Sequence, residues 1–307
     1  MTPELLEFAR RELARPAPPA AAAAAEALAP LFPEAAAVLF YGSALRTGDR
    51  DGVLDFYVLT RRPPEGWRGL PGRMLWPDVS YHEVAAADGL VRAKVAAMTL
   101  ARFQRAARGT GADTTVWTRF VQPAVLVWSQ DAAAAAAVQA AVADAAAAAA
   151  GYAAALGPER GPAQAYWSAL FRQTYAAEFR VEPSGRERSL IEADPERYDG
   201  LLPLAWAAGG LRFETAGEGV FAPQLTVSDR TRRLRAWRLR RALGRPLNLA
   251  RLAKAAFTFE GAARYAAWKI ERHTGVAVPM TPWRERHPIL SAPALLWALW
   301  RRRSASG

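Results

Sequence analysis

The sequence predicts an α+β protein in which a mixed-sheet domain is followed by a helical domain and a basic C-terminal helical segment. Short apolar runs in the first half, at about 36–41, 53–59 and 123–128, are bounded by turn residues and predict strands. After residue 157 the pattern is helical throughout. From Asp229 to the C-terminus there are 18 Lys and Arg but only 4 Asp and Glu, a net charge of +14, which exceeds the +11 of the whole chain.

The first 110 residues predict two helices followed by strands. A helix over 3–13 has Pro in its first turn, and an alanine-rich helix ends at about Leu28, just before two prolines. A strand is predicted at 79–84, where polar and apolar residues alternate. Residues 90–108 have a mostly helical composition, although their first part also fits a strand.

The stretch from Asp131 to Leu156 is nearly all alanine, and its length raises the question of a membrane span. Alanine is only weakly hydrophobic, and Gln139 and Asp144 interrupt the run. Because the strength of alanine is helix propensity, we expect a soluble helix capped by Asp131. We place the domain limits at 1–157, 158–228 and 229–307, with the first boundary in the Gly- and Pro-containing stretch that follows this helix.

Composition limits the chemistry of the protein. Cysteine is absent, which excludes disulfides and thiolate metal sites, and the three histidines argue against a histidine-built zinc site. Carboxylate chemistry with a hard cation remains. The N-terminus is acidic and lacks the apolar core of a signal peptide, so the expected location is the cytoplasm.

The basic C-terminal segment suggests a polyanionic partner. Over 248–272 the apolar side chains fall on one helical face and cations, including Arg251 and Lys254, cluster on another. The apolar run 289–300 is shorter than the roughly 20 residues that a membrane span needs.

Trp297 and Trp300 in this run, followed directly by Arg301, suit a membrane interface, with indoles at headgroup depth and guanidinium groups on phosphates. We therefore expect a peripheral protein on the anionic inner face of the cell membrane. No nucleic acid is expected as a partner, because no known nucleic-acid-binding pattern is present.

Tyr41, Gly42 and Ser43 follow the first predicted strand, and Asp55 lies about a dozen residues later inside the second. A Gly-Ser turn lets the backbone approach a phosphate closely and offers N–H donors to its oxygens. A lone carboxylate in an apolar strand is costly to bury unless a cation or a donor meets it, and Mg²⁺ prefers such oxygen ligands. Together these residues predict a site for a nucleoside triphosphate and Mg²⁺.

These residues resemble the mitochondrial-type phosphatidate cytidylyltransferases of the translocator assembly and maintenance family, which has bacterial relatives. The similarity runs, with gaps, over roughly residues 36–205. It rests on the motifs Tyr41-Gly42-Ser43, Leu54-Asp55-Phe56, Arg92-Ala93-Lys94, the segment around Arg119 before Pro123, Tyr175-Ala-Ala-Glu178-Phe179-Arg180, and the segment from Ala193 to Leu202.

The resemblance implies a nucleotidyltransferase-fold domain that makes CDP-diacylglycerol and pyrophosphate from CTP and phosphatidic acid, with Mg²⁺, in phospholipid biosynthesis. It implies that Asp55 holds Mg²⁺, that Lys94 acts in catalysis, and that Arg119 neutralises phosphates. The triphosphate would lie on Tyr41, Gly42 and Ser43.

Nucleotidyltransferases in general use two or three carboxylates, whereas only Asp55 lies in a clear strand position here. Asp49, Asp51, Asp78 and Glu83 are candidates for a second metal ligand. We select Asp51 because it lies between the Gly-Ser turn and Asp55, although an Asp-Gly turn in solvent explains it equally well.

Two other functions remain open from the sequence. One is a nucleotidyltransferase that acts on another phosphate acceptor. The other is a membrane-bound protein that retains this fold without activity.

Overall fold

The computed structural model describes residues 1–48, 52–63, 75–86, 89–177, 186–217, 219–259, 261–274 and 280–286. Helices account for 58% and strands for 20% of the structure, which confirms the predicted α+β class. The helices are α1 (Pro3–Leu13), α2 (Pro19–Leu28), α3 (Ser43–Thr47), α4 (Leu100–Ala107), α5 (Thr115–Phe120), α6 (Ala132–Leu156), α7 (Ala163–Ala177), α8 (Arg186–Glu192), α9 (Pro195–Ala208), α10 (Val227–Thr258), α11 (Ala262–Thr274) and α12 (Pro282–Arg286). The strands are β1 (Ala35–Tyr41), β2 (Leu54–Thr60), β3 (Asp78–Ala86), β4 (Gly89–Thr99), β5 (Ala124–Ser129), β6 (Gly161–Pro162), β7 (Phe213–Thr215) and β8 (Val220–Pro223).

The main sheet has five strands in the order β3-β4-β2-β1-β5. It is mixed, because β2 and β4 pair in parallel while the other neighbours are antiparallel. Residues 90–108 therefore start as a strand, the alternative that the first part of this segment also fits, and only the second part is helical. Strand β4 pairs with β2 over 93–99 and with β3 over 89–97, and these ladders override the helix propensity of its Ala, Lys and Met residues.

Each face of the sheet packs on different helices. One face, which includes Phe40, Phe56 and Val95, forms a core with α2. The opposite face, which includes Tyr57 and Met98, joins a larger core built with α1, α4, α5 and α6. Because side chains alternate along a strand, the two cores use alternate residues of the same strands.

Helix α6 is the alanine-rich segment, and Asp131 caps it as predicted, since its carboxylate accepts a hydrogen bond of 2.7 Å from the Ala134 N–H. In the described part of the chain it is the one helix that is long and apolar enough to cross a membrane, with 44% of its most apolar window buried inside the protein. Its buried alanines lie in the larger core, where their small side chains allow close approach of the surrounding helices.

The second half is not purely helical, and that prediction is wrong. Strands β6, β8 and β7 form a small sheet in that order. The strands have only two to four residues, which is too short to show a period of two. Phe213 and Phe221 from this sheet pack on Trp206, and Trp206 donates a hydrogen bond of 2.8 Å to the carbonyl of Ala150 in α6. The core is thus continuous across the predicted boundary at residue 157.

The basic segment begins as one helix of 32 residues, α10, which continues through Pro246. The stretch 248–272, treated above as a single helical face, instead spans two helices. The chain turns between them at Gly261, which has a φ of 77° and packs against the backbone of Tyr81 in β3.

A buried ion pair connects α1, at the start of the chain, with α9 in its second half. Arg197 in α9 donates two hydrogen bonds, of 2.5 and 2.9 Å, to the carboxylate of Glu12 in α1. It also donates one of 2.8 Å to the carbonyl of Val121. Burial disfavours the charge of Arg197, but the carboxylate of Glu12 outweighs that effect and raises the pKa of Arg197.

We predict that Glu12→Gln lowers the free energy of unfolding by about 3 kcal/mol, because it leaves the buried guanidinium of Arg197 without its counter-charge. Urea unfolding followed by circular dichroism measures this change. Glu7→Gln is the control, since Glu7 is exposed on the same helix and its ion pairs are 3.9 Å long, and it should change stability by less than about 0.5 kcal/mol. Equal effects of the two substitutions would contradict the structural importance of the buried pair.

Candidate functional site

A cavity of about 430 Å³ opens at one end of the main sheet, between β1, β2, β4 and helices α5, α7 and α8. Six of the residues predicted from the sequence line it together. They are Tyr41, Gly42, Ser43, Asp55, Lys94 and Arg119.

Strand register brings three of these residues side by side. Tyr41 is opposite Asp55 in the antiparallel β1–β2 pair, and Asp55 is opposite Lys94 in the parallel β2–β4 pair. Residues that are opposite in neighbouring strands project to the same face of a sheet. A carboxylate and an ammonium group, 39 residues apart in the chain, are therefore held on neighbouring strands at the floor of one cavity.

The turn after β1 approaches this carboxylate closely. Gly42 has φ 99° and ψ −161°, a backbone conformation that only glycine adopts readily. A Cβ atom at this position would be 2.9 Å from the Oδ2 atom of Asp55. Both the backbone conformation and the space next to Asp55 therefore require glycine here.

Arg119 reaches the cavity from α5. Its guanidinium lies over the ring of Tyr41, 5.0 Å from the ring centroid. The two side chains form one wall of the cavity, with a cation held against an aromatic face. The contact between β1 and α5 thus places the charge of Arg119 in the same cavity as Asp55, although no local sequence pattern links these two residues.

Several lining residues were not predicted. Arg46 follows the Gly-Ser turn by three residues, and its position on the short helix α3 could have suggested it. Thr115, Thr118 and Gln122 come from α5 and the residues after it, whereas Thr174 and Leu190 come from the second half of the chain. The sequence offers no signal for Thr174 or Leu190, because only the tertiary packing of α7 and α8 brings them to the cavity.

The described residues that line the cavity include three cations, Arg46, Lys94 and Arg119, and one acid, Asp55. The formal charge of this lining is therefore +2, which suits a polyanion such as a triphosphate. Mg²⁺ is commonly bound through one or two carboxylates and the phosphates of the substrate. The Asp55 carboxylate, next to a cationic wall, fits that pattern of binding.

The other candidate acids are placed differently. Asp78 pairs with Lys254, and Glu83 accepts a hydrogen bond of 3.0 Å from the hydroxyl of Tyr81. Asp49 and Asp51 lie outside the described residues. Within the described ranges no three or more His, Asp or Glu side chains are grouped as a metal site.

Two residues predicted to bind the membrane face the protein instead. Arg251 pairs with Asp113 and Lys254 pairs with Asp78, and their side chains are only 15% and 6% exposed. The helical pattern identified a shared cationic face, but that face packs on acids of the sheet domain. Assignment of Arg251 and Lys254 to a membrane surface is therefore wrong.

The remaining predicted positions fall in two groups. Trp297, Trp300 and Arg301 lie outside the described residues, as do Glu178, Phe179 and Arg180 of the downstream motif.

No protein-family model matches this chain, and no curated protein sequence gives a significant match to it. The family resemblance described above therefore rests on the quoted sequence motifs alone.

We predict that Gly42→Ala lowers the free energy of unfolding by about 1–3 kcal/mol, because the new methyl group meets the Asp55 carboxylate in a strained backbone conformation. Chemical denaturation measures the loss. Gly48→Ala is the matched control, since Gly48 has a φ of 69° but open space around its Cβ position, so only the backbone cost of about 1 kcal/mol applies. If both variants lose the same stability, the contact between Gly42 and Asp55 is not restrictive.

Proposed function

We propose that the protein is a Mg²⁺-dependent cytidylyltransferase that makes CDP-diacylglycerol from CTP and phosphatidic acid at a membrane surface. The observation that supports it most directly is the convergence of the Gly42-Ser43 turn, Asp55, Lys94 and Arg119 on one cavity. The Gly-Ser turn and Asp55 were selected from the sequence for binding a triphosphate and its metal, and Lys94 and Arg119 were selected through the family resemblance. They come from four separate elements.

The sheet also favours this proposal. In the family that the sequence resembles, a Tyr-Gly-Ser turn is followed by a strand that carries a single acid. Here α3 follows β1 at the Gly-Ser turn, β2 pairs antiparallel with β1, and Asp55 is the second residue of β2. The mixed sheet and its helices are compatible with that architecture.

The proposed mechanism depends on bringing anions together. The backbone at Gly42 and Ser43 binds phosphate oxygens, and Asp55 binds Mg²⁺, which supplies charge neutralisation of the triphosphate when bound. Lys94 and Arg119 reduce the repulsion between the triphosphate and the incoming lipid phosphate. An oxygen of the lipid phosphate then attacks the α-phosphate of CTP in line, a new P–O–P bond forms, and pyrophosphate leaves.

The cavity also has a polar wall that suits a nucleoside. The side chains of Thr115, Thr118 and Gln122 line it. The Gln122 amide donates a hydrogen bond of 3.0 Å to the carbonyl of Thr118, which holds this side chain along α5. We assign this wall to the ribose and base, because hydroxyl and amide groups recognise them without adding charge.

The outer surface of α10 supports a location at an anionic membrane. Leu239 and Leu249 on this helix are 56% and 69% exposed. The arginines at 235, 238, 241 and 245 are exposed on the same helix. Leucines that enter the apolar boundary and arginines that meet phosphates are typical of interfacial helices. This surface replaces Arg251 and Lys254 in the proposal.

We predict that Asp55→Asn abolishes CDP-diacylglycerol formation, with a loss of about 100-fold or more, because a neutral amide cannot replace a carboxylate ligand of Mg²⁺. The assay combines purified protein, labelled CTP, Mg²⁺ and vesicles that contain phosphatidic acid, and identifies the product by mass. EDTA should also stop the reaction. Asp144→Asn, on α6 outside the cavity, is the control and should retain activity.

Undiminished turnover by Asp55→Asn would refute the assigned role. Transfer of the nucleotide to a different phosphate acceptor would support the first alternative function. Nucleotide binding without turnover on any acceptor in a mixed lipid extract would support an inactive membrane-bound protein.

We predict that Leu239→Glu combined with Leu249→Glu weakens binding to anionic vesicles by about tenfold or more, because burial of each leucine contributes about 1.5–3 kcal/mol. Vesicle sedimentation at low and high salt measures this change, and wild-type binding should weaken as salt increases. Leu31→Glu is the control, since Leu31 is 54% exposed on a different surface. A similar loss for the control would mean that α10 is not the membrane-binding surface.

A further inference from the structure

Helix α10 crosses the rim of the cavity near its C-terminal end and contacts the start of β3 there. The ammonium group of Lys254 donates hydrogen bonds to the carboxylate of Asp78 and to the carbonyl of Leu75. Pro77 and Val79, on either side of Asp78, line the cavity. Lys254 therefore anchors the segment that supplies one wall.

One turn earlier, Arg251 contacts a second wall. Its guanidinium donates to both carboxylate oxygens of Asp113 and, at 2.9 Å, to the hydroxyl of Thr115. Asp113 also accepts hydrogen bonds from the N–H and the hydroxyl of Thr115, at 3.0 and 2.7 Å, and so fixes the start of α5. Helix α5 carries Thr118 and Arg119, which line the cavity with Thr115.

Trp76 connects these two contacts. The guanidinium groups of Arg102 and Arg251 each lie 5.2 Å from its ring centroid. Burial lowers the pKa of Arg102, and the nearby charges of Arg105 and Arg251 lower it further. Two cations held against one aromatic ring keep the residue before Pro77 in place.

We propose that Arg251 and Lys254 are positioning residues, which hold the β3 wall and the α5 wall of the cavity at a fixed separation. Neither residue is among those that line the cavity. Both act through groups that do, because Arg251 holds Thr115 directly and Lys254 holds the segment around Pro77 and Val79. The effect on CTP rests on the function proposed above, whereas the effect on the two walls does not.

The physical chemistry favours a geometric role over simple stabilisation. Desolvation offsets much of the Coulomb attraction within a largely buried ion pair, so such pairs contribute little net stability. They do impose direction, because a guanidinium that contacts a carboxylate through two nitrogens has little orientational freedom. A cavity that must align a triphosphate for in-line attack needs that restriction, since small displacements reduce rates strongly.

The experiment compares Arg251→Gln and Lys254→Met with Arg108→Gln. Arg108 forms an ion pair of 3.5 Å with Asp144 that joins α4 to α6 and does not contact the cavity rim. Three quantities are measured in the full-length protein: amide hydrogen exchange, the Kd for CTP with Mg²⁺, and kcat and KM for each substrate. Circular dichroism establishes that each variant is folded.

We expect exchange to become about tenfold faster in β3 and α5 of the two rim variants, with α6 unchanged. The Kd and KM for CTP should rise about tenfold, which corresponds to about 1.4 kcal/mol, while Arg108→Gln stays at wild-type values. Lys254→Arg should restore most of the affinity, because it keeps the charge that meets Asp78. If Arg251→Gln fails to fold, Asp113→Asn replaces it and removes the same contact from the other side.

Unchanged exchange in β3 and α5 would overturn the inference, whether or not CTP is turned over. Faster exchange with an unchanged Kd and KM for CTP would also overturn it, since the contacts would then have no positioning role. Wild-type protein that neither binds nor uses CTP would instead refute the proposed function, while the exchange data would still decide whether Arg251 and Lys254 hold the walls.

Discussion

The register of β2 between β1 and β4 determines the geometry of the candidate site. A shift of one residue in either pair would turn Asp55 away from the cavity and into the core against α2, where a carboxylate has no partner. The register is fixed because the side chains of Phe56 and Val58 pack in the core with α2, whereas those of Tyr57 and Leu59 pack in the larger core on the opposite face of the sheet. The position of the carboxylate is thus a consequence of how two apolar cores share one strand.

The alanine-rich helix α6 is the centre of the larger core, which lies on the face of the sheet opposite α2. Alanine loses no side-chain rotamer freedom on burial, and its small size lets several helices pack near the α6 axis. Most of the large side chains of the core come from the surrounding elements instead, as with Trp117 of α5, whose ring stacks on Tyr152, the one aromatic residue of α6, at a centroid distance of 5.3 Å. A helix that is small and apolar on nearly every side can therefore be the centre of a core, provided that its neighbours supply the volume.

Much of the sheet domain could be predicted from its sequence, because its signals are local. Alternation identified β3, helix propensity and a capping aspartate identified α6, and the Gly-Ser turn and Asp55 line the same cavity, as the sequence predicted. Predictions failed where pairing or packing decides the outcome. Strand β4 has a helical composition, but it pairs with two neighbouring strands. The cationic face that contains Arg251 is exposed in a helical projection, although Arg251 pairs with Asp113, about 140 residues earlier in the chain. Thr174 reaches the cavity through the packing of α7, which no local pattern reports.

The shared core also determines the order in which the chain can fold as it is synthesised. Helix α6 is complete at Leu156, but the indole of Trp206 that donates to Ala150 is made some fifty residues later. Until α7 and α9 emerge from the ribosome, one side of an alanine helix remains without its apolar partners. The sheet domain must therefore persist as an incomplete intermediate during translation, and its alanine-rich surface is the part that a chaperone would need to protect.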